Sequence, residues 1–135
     1  MNSPQTRMWS LSLGLATLVA IVIFLASGGG SPSHKFDPAS LNPGLVGDAE
    51  AIRSGQEIFS HLCAPCHGAE GQGKVGPSLR DDQWLYGNTF QAVARVIAQG
   101  VQEKSMIAWK DTLSHTQISQ VTAYVLSLSG LPAGR

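Results

Sequence analysis

Two thiols and an imidazole fall within five residues, Cys63-Ala64-Pro65-Cys66-His67, in the run HLCAPCHG over 61–68. Four chemistries use such a cluster. A redox dithiol needs its CxxC at the start of a helix in a strand-containing fold, and no strand alternation flanks this pair. A structural zinc needs four ligands, and no second Cys or His pair is spaced to complete the tetrahedron. A plain disulfide closes a very short loop, stabilises little and gives the histidine no task. Covalent haem attachment uses all three groups. The thiols add to the two porphyrin vinyl groups, and His67 is placed beneath the iron as proximal ligand. Cys63 and Cys66 are the only cysteines in the 135 residues.

A low-spin electron carrier also needs an axial ligand from the opposite face. Met106, His115, His34 and His61 are the candidates. His61 lies two residues before Cys63, too close to reach across the ring, and reads as a surface residue. His115 is expected solvated in the first turn of a helix, and His34 solvated in a linker. Met1 and Met8 belong to the N-terminal segment, which leaves Met106, forty residues after Cys66. It sits in GVQEKSMIAWKDTLS, an irregular stretch between two helices. Core filling is the alternative use of a lone methionine.

Three helices are predicted to position these groups. The first starts from Asp48 as N-cap, has Glu50 in its first turn, and carries Ile52, Gly55, Ile58, Phe59 and Leu62 on one face. It runs directly into the cysteine pair, and the glycines and proline of 68–79 mark a loop after it. The second has Asn88 as N-cap with Gln91 three residues on; Phe90, Val93, Ala94 and Ile97 share a face, and Gly100 closes it. The third opens on a capping box of Ser114 and Gln117, continues through Ile118, Val121, Tyr124, Val125 and Leu128, and ends at Gly130.

Upstream, no charged residue occurs between Arg7 and Lys35, and Met8 to Ser27 is predominantly apolar. A helix over that span is long enough to cross a bilayer, and Arg7 before it favours an N-in, C-out orientation. A cleaved signal ending near Ala26-Ser27-Gly28 is the alternative, and both export the remainder. The organisation expected is therefore an anchor or signal over 1–27, a flexible Gly/Ser/Pro-rich linker over 28–47 and a haem domain over 48–135. Nine basic and nine acidic side chains balance, so the chain lacks the basic footprint of a nucleic-acid binder.

The stretches SGQEIFSHLCAPCHGAEGQGKVGPSL, DDQWLYG, IAQGV, MIAWKDTLS and ISQVTAYVLSLSG, in that order, resemble class I cytochrome c domains. They are most similar to those in the c-haem subunit, subunit III, of cbb(3)-type haem–copper oxidases. The resemblance implies an all-α class I cytochrome c fold around one haem c held by Cys63 and Cys66, with His67 proximal and Met106 distal. It implies a hydrogen bond from the His67 ring to the Pro77 carbonyl, and a crossing of the first and last helices where Gly55 and Phe59 meet Tyr124. Leu79, Trp84, Tyr86, Ile97 and Trp109 would line the haem pocket or its propionate edge. That subunit is expected to carry two haem domains; this chain has one CxxCH.

The function expected is one-electron transfer by a non-enzymatic carrier at the periplasmic side of a bacterial inner membrane. Its partners would be a quinol-oxidising complex, a terminal oxidase or a dehydrogenase. Service as a fixed subunit of an oxidase or periplasmic dehydrogenase is the alternative, followed by a haem sensor or peroxidase with a labile methionine.

Overall fold

The computed structural model describes residues 36–130. The anchor expected over 1–27, the first part of the linker and His34 lie outside the described residues. Asp48 starts the first helix as its sequence promises: its carboxylate accepts from the Ala51 N–H at 2.7 Å. Helix α1 runs Ala49–Leu62 and buries Ala51, Gly55 and Phe59, four residues apart on one face. Ile52, Ile58 and Leu62 are half-buried beside that face and pack against the core. Cys63 ends the helix, and a single further turn, α2 (Ala64–His67), carries the second thiol and the imidazole.

Helix α3 (Phe90–Gln99) is capped by Thr89, whose hydroxyl accepts from the Ala92 N–H at 3.2 Å. Asn88, the cap expected from sequence, lies one residue too early; both side chains have capping chemistry, and local sequence does not separate them. Gly100 terminates α3 with φ of 68°. Helix α4 (His115–Leu128) opens on the full capping box: the Gln117 N–H donates to Ser114 Oγ, and the Ser114 N–H donates to Gln117 Oε1. Among the described residues there is no strand, only one antiparallel bridge between Val101 and Met106.

The core lies where α1 crosses α4. A Cβ on Gly55 would strike the Gln120 carbonyl oxygen and come within 2.9 Å of Tyr124 Cβ, so the helices meet backbone to backbone there. One turn on, the Phe59 and Tyr124 rings pack with centroids 5.2 Å apart at 60°. Phe90, Val93, Ala94, Ile97 and Ala98 of α3 complete the cluster. Helix α4 is buried over more of its circumference than its apolar stripe predicts. Ser119 and Thr122 are fully covered, their hydroxyls donating to the His115 and Ile118 carbonyls.

Over Ser119 the covering comes from a segment expected to be linker, whose Asn42 N–H donates to Ser119 Oγ. Residues 36–47 form two short 3-10 turns, Pro38–Ser40 and Pro43–Leu45, capped by Asp37 and Asn42, and Phe36, Leu41 and Val46 pack on the core. The linker expected over 28–47 is therefore folded from Phe36 onward. Prolines and Asx residues punctuate capped turns and loops alike, which is why the composition misleads here. His115, expected solvated, is half-buried: Phe36 stacks on its ring, and the Asp37 N–H donates to its Nε2 at 2.9 Å. No helix among the described residues is long and apolar enough to cross a membrane.

Candidate functional site

Helix α1 delivers the cysteine turn because its last hydrogen bond, from the Cys63 N–H to Phe59, passes directly into bonds from Cys66 and His67 back to the Cys63 carbonyl. Pro65 in the first turn of α2 needs no N–H partner there. Cys63 is half-buried, Cys66 is exposed, and neither is in a disulfide. Burial, followed by the neighbouring Cys66 charge, pushes the Cys63 thiol up to about 11, so it stays protonated at neutral pH.

The loop after α2 folds back onto it. The Gly73 N–H donates to the His67 carbonyl at 2.7 Å, and the Gly76 N–H donates to the Cys66 carbonyl at 2.9 Å. This return brings the Pro77 carbonyl to 2.9 Å from His67 Nδ1. A carbonyl only accepts, so Nδ1 carries the hydrogen and the Nε2 lone pair is left for a metal. Gly76 lies flat against the same ring: a Cβ there would fall 2.9 Å from Cε1 and 3.1 Å from Nδ1. Sequence reasoning passed over Gly76; its place directly before Pro77 was the available signal.

Met106 is presented by a closed loop rather than an irregular one. Its N–H and carbonyl pair with Val101, the turn Gln102–Lys104 closes the loop, and Ser105 adopts a left-handed conformation with φ of 59°. The Trp109 and Lys110 N–H groups donate to the Ile97 and Ala98 carbonyls, fastening the loop to α3. Gly100 allows the close approach, since a Cβ there would meet Ala108 N at 2.7 Å. Lys110 is paired to Asp111 at 2.9 Å, so of the two lysines flanking Met106, Lys104 is the one without a salt bridge.

The remaining sequence candidates divide. Ile97 is buried in the core, and Leu79, Trp84 and Trp109 are half-buried against it. Tyr86 is 47% exposed and borders an open groove of about 460 Å³ with Ala92, Arg95, Val96 and Gln99 of α3. His61 is exposed and its Nδ1 hydrogen-bonds the Glu57 carbonyl of its own helix at 2.8 Å.

Whether these residues fit a haem is tested by what the site leaves unsatisfied. Among the described residues, Trp84 Nε1 is the buried side-chain polar atom without a partner. A buried indole N–H without an acceptor is costly, and a porphyrin propionate supplies one. Val75 and Ile107, the sequence neighbours of Gly76 and Met106, are 84% and 62% exposed, apolar surface of the kind a large flat apolar group would cover. The residues fit.

Strand-free helices that cross at a glycine and end in a CxxCH turn define a c-type cytochrome domain of class I. Solved structures agree. Cytochrome cL of Methylophaga aminisulfidivorans superposes with a TM-score of 0.57 at 30% identity, over 62% of this chain and 58% of that one. Cytochrome c6 of the diatom Phaeodactylum tricornutum gives 0.51 at 30% identity, over 58% of this chain and 94% of that one.

The chain belongs to the family described as cytochrome c oxidase, cbb3-type, subunit III, which it matches over residues 50–125. The cbb3-type cytochrome c oxidase subunit FixP of Azorhizobium caulinodans is 41% identical over 101 residues, 69% of this chain and 34% of that protein. Subunit CcoP of Rubrivivax gelatinosus is 30% identical over 160 residues, covering 98% of this chain and 52% of that protein. The chain spans about a third of the length of the first of these curated relatives. Its cofactor is a covalent c-type haem on Cys63 and Cys66.

Proposed function

We propose that the domain is a one-electron carrier whose iron is held between His67 and Met106. A bound haem iron supplies a ferric–ferrous couple, and methionine opposite histidine raises its potential. The observation that carries the reading is the 2.9 Å contact from His67 Nδ1 to Pro77. It fixes both the tautomer and the ring plane, as partners of ligating histidines do.

The other residues act by holding and shielding. The Val101–Met106 loop holds Met106 on a fastened backbone, and its thioether would serve as the iron's second protein ligand, leaving no site for substrate on the metal. Leu79, Ile97 and Trp109 would supply apolar wall that keeps water off the ring, Trp84 Nε1 would donate to a propionate, and Tyr86 would stand at the rim. Such a site carries electrons and does not turn over substrate.

An N-terminal segment spanning the inner membrane, N-in and C-out, would keep this domain at the periplasmic face, with release by signal cleavage as the alternative. Membership of the subunit III family favours a terminal oxidase as the electron acceptor, with the domain working inside that complex or delivering to it. A quinol-oxidising complex or periplasmic dehydrogenase would supply the electrons.

The test is an alkaline pyridine spectrum of the purified chain after denaturation. Haem that stays on wild type and is lost from Cys63→Ala/Cys66→Ala supports the reading. A wild-type chain that releases its haem refutes it.

A further inference from the structure

We infer that residues 36–46 form a strap latched onto α4 by His115 and Ser119, and that this strap opens locally while α4 beneath it stays folded. The contacts are long-range and specific. The Phe36 ring lies on the His115 imidazole with centroids 5.6 Å apart and planes 13° from parallel. The Asp37 N–H donates to His115 Nε2 at 2.9 Å, seventy-eight residues away in sequence. Five residues along the strap, the Asn42 N–H donates to Ser119 Oγ at 3.0 Å. The Ser119 hydrogen is itself committed to the His115 carbonyl at 2.8 Å, so His115 and Ser119 act as one receiving unit.

The strap differs from ordinary core in how lightly it is held. Neither of its turns contains a buried residue, whereas α4 beneath is buried from Val121 to Leu126. Each turn is capped by its own Asx side chain, Asp37 on Ala39 N and Asn42 on Gly44 N, and so keeps its local shape without α4. Release exposes the Asp37 and Asn42 N–H groups to water and leaves the Ser119 hydroxyl still bonded to the His115 carbonyl. Neither the two strap N–H groups nor the Ser119 hydroxyl is orphaned by the motion. A segment whose turns bury no residue and whose anchors are half-buried sits at the low-stability end of a fold and opens locally.

Amide exchange on the haem-loaded full chain in its ferrous state tests the latch. Wild type should protect Asp37 and Asn42 above unstructured rates but less than Val121. His115→Phe keeps a ring for Phe36 and removes the acceptor, so exchange at Asp37 should rise about fivefold with Val121 unchanged. Ser119→Ala should do the same at Asn42. Phe36→Ala loosens the strap from its own side and leaves α4 intact, which covers any folding defect in the α4 variants. Unprotected wild-type amides, or rates unmoved by all three substitutions, overturn the latch.

Discussion

Gly76→Ala perturbs His67, the proposed proximal ligand, without replacing any group that would bind the cofactor. Gly76 is absent from the residues with positive φ, so alanine meets no backbone strain, and its amide bond to Cys66 is unaffected. The new methyl would sit 2.9 Å from His67 Cε1 and 3.1 Å from Nδ1, against 3.4 Å where ordinary contact begins. His67 cannot translate away, because its backbone is tied into the Cys63 turn and to Gly73. The ring must rotate, which stretches the 2.9 Å bond to Pro77.

Losing most of that bond costs about 1 kcal/mol. A weaker bond makes the imidazole a poorer donor and favours ferrous over ferric iron. For a one-electron couple that cost corresponds to a rise in midpoint potential of up to about 40 mV. Spectroelectrochemical titration of haem-loaded wild type and Gly76→Ala at neutral pH measures it. An unchanged or lowered potential with both axial ligands in place would refute the claim that Pro77 tunes the iron through His67.

Three further outcomes are expected. Gly55→Ala drives a methyl into the Gln120 backbone at the α1–α4 crossing, and overpacking of this kind should cost about 1–3 kcal/mol, read as a lower thermal midpoint. Ser114→Ala removes the capping box of α4 and should cost about 1 kcal/mol in denaturant unfolding; a neutral result would mean the cap is redundant. In the folded haem-free chain, iodoacetamide should label exposed Cys66 before Cys63. The Cys63 rate should keep climbing as pH approaches about 11, since its raised pKa holds it as the unreactive thiol below that.

What local sequence carries is what short-range chemistry determines. Asp48, the Ser114–Gln117 box and the glycine at 100 announce helix ends because capping is settled within four residues. The CxxCH turn is legible for the same reason. The strap is not: Phe36, Leu41 and Val46 follow no helical or strand period, and His115 and Ser119, which receive the Asp37 and Asn42 N–H groups, lie more than seventy residues away. That hidden partnership also explains why α4 is buried beyond its stripe, and why His115 is a latch rather than a solvated side chain. Gly76 is not legible because its role is to lack a side chain beside the His67 ring, and that contact forms only when the loop folds back.

The central claim is that Met106 closes the iron to outside ligands so that the domain carries electrons and does nothing else with them. Carbon monoxide binding to the ferrous haem-loaded protein tests it most directly, comparing wild type with Met106→Ala. Wild type should resist carbon monoxide while the variant binds it readily. Wild type that binds as fast as the variant would contradict the account.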